Sequence, residues 1–332
     1  MKTLTGASLA LILHTSFCVP TLLSAASSQP VTQDHPNLAY SAGWQSTKAE
    51  HVYGFPEIKH NKKGTLTLTA VALTFTAKSG NASVQRSSIT AVSVGSQRVK
   101  IWGSTGRLLR MMIPDEGGGA AAAIMHHRVD LLTVEFNDSK GGNHSAVFFL
   151  PANEAEHALQ NFTLAPAAHR QVSETNCQNA PIEPKSVLVS APDWDNAEVP
   201  AAYRALVYEH VVDRLQQTKD VGHVYRDGDD DGHSPCPQYT VHISIVTFKE
   251  GDSVTRAALG SIGEFVGTTQ MKFDVTITDA PGKLNIRKKI TTTMRGETES
   301  TDVADHVAKT VAKHYVAVLN RAGKSAINPP KA

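Results

Sequence analysis

The chain has 332 residues, of which 19% are charged, 41% hydrophobic and 6% aromatic, enough for a substantial core and for two ordinary domains. Lys plus Arg number 32 against 31 Asp plus Glu, so no large field recruits nucleic acid. Three cysteines exclude a disulfide-dense miniprotein and a four-cysteine zinc site.

The first element is an address. Met1-Lys2 gives a positive start, Ala7 to Leu23 is mostly apolar, and Ser24-Ala25-Ala26 supplies small residues, the order of a secretory signal peptide over residues 1–26 cut near Ala25 or Ala26. His14, Thr15, Ser16 and Pro20 interrupt the apolar run, which disfavours a retained anchor. Phe17 stands before Cys18 where a lipobox needs a small residue, which disfavours a lipid anchor. Cleavage removes Lys2 and Cys18, leaving 31 basic and 31 acidic side chains and two cysteines. In the oxidising periplasmic or secreted destination this implies, Cys177 and Cys236 are a candidate disulfide. It would close a loop of roughly 60 residues, worth about 3–4 kcal/mol. The alternative is two thiols too far apart to bond.

Residues 27–49, rich in Ser, Gln, Pro and Asn at their start, read as a flexible lead-in. Strand signals follow at Gly64–Thr69, Leu73–Phe75, Ser83–Gln85, Ile89–Val94, Arg98–Trp102, Leu108–Ile113, Val129–Phe136 and Ala146–Leu150, separated by Gly, Asn, Asp and Ser clusters. Pro151-Ala152-Asn153-Glu154 then opens a helix with Ala155, Ala158, Leu159 and Phe162 on one stripe. Residues 166–185, with Pro166, Pro181 and Pro184, read as a linker.

The second half, 186–322, changes period. A short strand at Val187-Leu188-Val189 precedes a helix begun at Pro200, with Tyr203, Leu206, Val207, Val211 and Leu215 inward and Arg204, Glu209, Asp213 and Arg214 off that stripe. Strands are expected at His223–Arg226 and Tyr239–Phe248. A hairpin of Met271–Thr278 and Leu284–Thr293 turns at Asp279-Ala280-Pro281-Gly282. Asp302 opens a last helix with Val303, Val307, Val311, Tyr315 and Val318 inward. Lys309 and Lys313 lie toward its negative end, Gly323 serves as cap, and 323–332 form a tail. The fold class is α+β: a β-barrel with a C-terminal helix over 50–165, then a mixed-sheet domain with helices on one face.

Around seven strands closed by one helix, with Gly64-Thr65-Leu66-Thr67-Leu68-Thr69, Val129 to Phe136 and Ala146-Val147-Phe148-Phe149-Leu150-Pro151, resemble a bacterial pleckstrin-homology (PH) or GRAM-like domain. Gly251, Arg256, Leu259, Gly260, Gly263 and Gly267 ahead of the strand ending Val275-Thr276-Ile277-Thr278-Asp279 resemble uncharacterised bacterial envelope proteins related to the curli-secretion and penicillin-binding-protein-activator lipoprotein fold. That second resemblance implies an assembly or regulatory factor without catalysis.

Asp227-Gly228-Asp229-Asp230-Asp231-Gly232 places Asp227, Asp229 and Asp231 where an EF-hand loop has its first three carboxylates, a candidate weak calcium site. Gln238 stands where the bidentate Glu belongs, and the competing reading is a solvated acidic loop. Glu209-His210 with Asp213 lacks the second His of HExxH, His126-His127 cannot share one face of a strand, and His306 and His314 are too far apart for a helical i, i+4 pair. No G-x-S-x-G is present. Gly117-Gly118-Gly119, between Ile113 and Met125, reads as a mobile hairpin tip or a peripheral membrane or partner contact. Lys59, Lys62 and Lys63 beside His60 form a small basic turn. The expectation is an exported, non-catalytic binding, assembly or regulatory protein of the bacterial envelope, with an envelope protein as partner and no nucleic acid. The alternatives are a calcium-responsive module and a hydrolase assembled from distant residues.

Overall fold

The computed structural model describes residues 43–100, 126–162, 181–194, 197–229, 236–249, 269–294 and 300–327. The leader, Leu108–Ile113, Gly117 to Gly119, Met125, most of the linker, Cys177, Asp231 and the glycines from Gly251 to Gly267 lie outside these residues. The described residues belong to one unit, Tyr40–Ala332.

The protein is α+β, built on two sheets. The first holds β1 (Trp44–Tyr53), β2 (Lys62–Leu68), β3 (Ala72–Ala77), β4 (Gly80–Gln85), β5 (Ile89–Lys100), β6 (His126–Asn137) and β7 (Asn143–Leu150), in the order β4-β3-β2-β1-β7-β6-β5. The expected closed barrel is therefore an open sheet: β4 and β5 are its two edges and do not pair with each other. Helix α1 (Glu154–Asn161) packs Ala155 and Ala158 into the core beneath it, with Leu66, Phe75, Leu132 and Phe148.

β1 starts at Trp44, inside the stretch expected to be lead-in, and sits at the centre of the sheet. A bulge between Ser46 and Ala49 shifts its register against β2, so its sequence never alternates cleanly. β5 runs unbroken where two strands were expected.

The second sheet has the order β12-β11-β10-β8-β9, from β8 (Ile182–Val189), β9 (His223–Arg226), β10 (Cys236–Lys249), β11 (Thr269–Asp279) and β12 (Asn285–Met294). β8 is parallel to β9 and β10, and the β10-β11-β12 pairings are antiparallel. The β11–β12 turn falls where expected: Gly282 has φ 71°, and Asp279 Oδ1 accepts the Leu284 N–H at 2.7 Å. Val187, Val241, Ile243, Phe273, Val275 and Ile277 face helices α2 (Ala201–Gln216) and α3 (Ser300–Ile327). α3 continues through Gly323 to Ile327, so that glycine is not its cap.

α2 joins the two sheets. It is buried nearly all round, through Tyr203, Leu206, Val207, Tyr208, Val211, Val212 and Leu215. Val52, Tyr53, Val129, Leu131, Val147 and Phe149, from the face of the first sheet opposite Phe148, belong to the same core cluster as α2, α3 and the second sheet. This two-sided burial explains the unbroken apolar run of β7: Ala146, Phe148 and Leu150 enter one core, Val147 and Phe149 the other. Val147, Phe148, Phe149 and Leu150 each contribute about 1.5–3 kcal/mol of burial, and Ala146 less.

Candidate functional site

The start of the expected calcium loop is a structural joint. Asp227 Oδ2 accepts the Ala191 N–H at 3.2 Å, and Asp229 Oδ2 accepts the Arg226 N–H at 2.5 Å. The Asp227 carbonyl accepts the Asn143 N–H at 2.9 Å, fastening β9 to the β6–β7 turn. Gly141 and Gly228 meet there with φ of 87° and 84°, and a Cβ on either would stand 2.8 Å from the other's carbonyl oxygen. Only glycine fits this approach. Burial raises the Asp229 carboxyl above its ordinary range, opposed by the Arg226 N–H. Among the described residues no group of three or more His, Cys, Asp or Glu converges, and no helix is long and apolar enough to cross a membrane.

Behind this joint lies a charge pair that the helical pattern placed toward solvent. Glu209 of α2 is 2% exposed. Its Oε1 accepts from Ser145 N–H at 2.8 Å and Arg226 Nη1 at 3.0 Å, and its Oε2 accepts from Arg226 Nη2 at 2.8 Å. Arg226 Nη1 also donates to the Asn143 carbonyl at 2.9 Å. Although burial opposes its charge, Glu209 holds the Arg226 guanidinium above its ordinary pKa. The pair is saturated with partners from both sheets and α2, the condition for a buried ion pair to be tolerated.

A second seam joins β1 to α2 and α3. The Tyr53 ring is stacked between His60 and His210, each centroid 4.0 Å away, and its hydroxyl donates to Asp213 Oδ2. Burial and Asp213 push the Tyr53 phenol up, and burial pushes His210 down to about 4. His51 is fully buried in β1. Its Nε2 accepts the Phe55 N–H at 3.1 Å, which requires a neutral ring, and burial lowers it to about 4. The expected basic turn at Lys59, Lys62 and Lys63 is exposed beside this seam. From Asp213 the seam passes to Arg214, which bonds Asp305 at 2.9 Å, and Asp305 bonds Lys309 at 2.5 Å.

Lys309 opens onto a groove of about 520 Å³ between β12 and α3, lined by Lys288, Lys309, Lys313, His314, Val318 and Arg321 among others. Lys288 comes from the row Ile286–Lys288–Ile290, whose isoleucines pack against the core under α3. Lys309, Lys313 and Arg321 follow the i, i+4 and i+12 positions of one helix face. His314 is 8% exposed, and its Nε2 has no hydrogen-bond partner among the described residues. Burial, then Lys288 and Arg321, lower its pKa. None of these residues stood out in the sequence as a site, because Lys309 and Lys313 were expected toward the negative end of the last helix; with α3 running to Ile327 they lie in its N-terminal half and at its middle instead.

Of the sequence candidates, Cys236 is 3% exposed at the start of β10, and its N–H donates to the Pro181 carbonyl at 2.8 Å. Cys177, Asp231, Ile113, Gly117, Gly118, Gly119 and Met125 lie outside the described residues.

No protein-family model and no curated protein matches the chain. Among solved structures it is similar to a single-substitution variant of the PelC dodecamer from Paraburkholderia phytofirmans, at 13% identity and TM-score 0.29 over 40% of this chain and 90% of that one. The PelC dodecamer from the same organism in a second crystal form gives 12% identity and TM-score 0.28, over 41% and 92% of the two chains. A crystal structure of an uncharacterized protein gives 8% identity and TM-score 0.24, over 43% and 99%.

Proposed function

We propose that this chain is an exported, non-catalytic binding or assembly protein of the bacterial envelope, and that it meets its ligand at the groove between β12 and α3. The observation that carries this reading is the grouping of Lys288, Lys313 and Arg321 around one opening, with no carboxylate among the lining residues. A surface with nearly equal numbers of both signs should intersperse them, and a single-sign concavity concentrates field where a partner can use it. The shared core through α2 holds β12 and α3 in register, so the groove is presented on rigid elements. We read residues 50–165 as PH/GRAM-like; a β1–β4 meander and a β5–β7 meander joined by the pairing of β1 with β7, followed by α1, support that reading. We also propose that the leader is removed near Ala25 or Ala26 and that Cys177 and Cys236 pair.

The test is partition of the protein in envelope fractions at low and high salt, alongside the charge-reversed variant Lys288→Glu/Lys313→Glu/Arg321→Glu. All three side chains are exposed, so the fold should survive. Salt-sensitive retention of the natural chain, lost in the variant, is expected. Equal partition of the two proteins would refute the groove as the contact. A purified turnover activity would refute the non-catalytic reading.

A further inference from the structure

Resting on the reading of this groove as a binding surface, we infer that its ligand carries phosphate charge, at least two negative charges delivered to Lys288, Lys313 and Arg321 together. The count of available cations comes first. Lys309 is held by Asp305, which it shares with Arg214, so Lys309 enters the groove with an acidic partner of its own. Lys288, Lys313 and Arg321 have no ion pair among the described residues. A single carboxylate would answer one of the three, whereas a phosphate monoester carries about −1.5 to −2 and a diphosphate more.

The second argument is placement. Lys313 and Arg321 lie eight residues apart on α3, about 12 Å along its axis. Lys288 approaches from the facing strand. Arg321 lies within two turns of the C-terminus of α3, where the helix dipole favours a cation, but Lys313, at mid-helix, and Lys288, on a strand, have no such explanation. Lys288 interrupts an apolar row, Ile286–Lys288–Ile290, that faces α3, where a third aliphatic side chain would extend the core. Arg287, on the opposite face of β12, has its acid in Asp274, at 3.1 Å from Nε. The lysine turned toward α3 has none.

The third argument is the floor. Val318 is buried and Ala317 lines the groove, so part of the opening is low in polarity, which strengthens charge–charge contacts made inside it. Arg321 offers a planar fork that matches phosphate oxygens, and the lysines act as point charges. A groove of about 520 Å³ falls within the size range of small-molecule sites. The same chemistry is found on a free diphosphate-type ligand and on a phospholipid headgroup, whose chains could lie along the apolar floor.

The experiment is calorimetric titration of the purified protein with inorganic pyrophosphate at low salt, with citrate as the carboxylate control. Co-sedimentation with phosphatidylglycerol vesicles and with phosphatidylcholine vesicles runs in parallel. One-to-one pyrophosphate binding, weakened about tenfold or more by Lys288→Ala or Arg321→Ala and by raised salt, is expected. Retention on phosphatidylglycerol alone, competed by pyrophosphate, assigns the headgroup; pyrophosphate binding without vesicle retention assigns the free anion. Citrate binding equal to pyrophosphate binding would overturn the phosphate assignment. Failure of both pyrophosphate and phosphatidylglycerol would overturn it too, and envelope partition of the charge-reversed variant would then show separately whether the groove binds something else.

Discussion

Glu209 should be the most consequential single polar side chain among the described residues. Replacing it by Leu removes three hydrogen bonds at 2.8, 3.0 and 2.8 Å and leaves Arg226 charged, 12% exposed and held only by the Asn143 carbonyl. Removing one partner of a buried pair costs about 3–5 kcal/mol, mostly the cost of the charge left behind. The orphaned Ser145 N–H adds about 1–3 kcal/mol where water cannot reach it. Adding Arg226→Met should recover part of the loss but not all, because Ser145 N–H and the Asn143 carbonyl still lack partners. The assay is urea unfolding with hydrogen exchange read separately on β7 and β10. Because Glu209 touches both sheets, protection in both should fall together. A loss below about 1 kcal/mol, or a loss confined to one sheet, would refute the claim that α2 couples them.

Three further outcomes follow from the same geometry. His51 and His210, ordinarily near 6.5, are held at about 4 by burial, so the unfolded chain binds more protons between these values. Stability should therefore be intact above about pH 6.5 and fall as pH drops toward 4, by up to about 3 kcal/mol per histidine, and thermal melts of His210→Phe should show a shallower slope. Gly54→Ala should destabilise by several kcal/mol in urea titrations, since Gly54 has φ 106° and its Cβ would lie 1.9 Å from the Ser145 carbonyl oxygen. If Cys177 and Cys236 pair, Cys236→Ser should lower stability by about 3–4 kcal/mol, and the natural chain should show no thiol accessible to alkylation after denaturation without reductant.

What the sequence made legible was local. β9 was read at its observed bounds and the β11–β12 turn at its observed residues, because turn chemistry and alternation act within a few positions. β1 was missed because its bulge breaks the period and because Ser46 and His51, both buried, read as polar surface. Glu209 was placed off the apolar stripe of α2, which assumed a helix with one solvent face. The clue to the contrary lay elsewhere, in Val147 and Phe149 alternating with Phe148: a strand apolar on both faces needs a second covering layer, and that layer is α2. A residue on a helix so enclosed must find its partner inside, so the run in β7 and the charge on α2 are two sides of one constraint.

The balanced charge behaves similarly. Nearly equal totals of acid and base carry no positions, and the fold separates what the count had paired. Asp305 takes up Lys309 and Arg214, Glu209 takes up Arg226, and Asp274 takes up Arg287, which leaves Lys288, Lys313 and Arg321 without an ion pair among the described residues. Lys288 lies on a strand and Lys313 and Arg321 on a helix far along the chain, so only the packing of α3 against β12 brings them together. A local excess of charge can therefore arise in a chain with almost no net charge, provided that the acids are engaged elsewhere. That condition makes the groove a property of the tertiary structure, and it means that Arg214→Ala should leave Lys309 as the sole partner of Asp305 without altering the three cations on which binding depends.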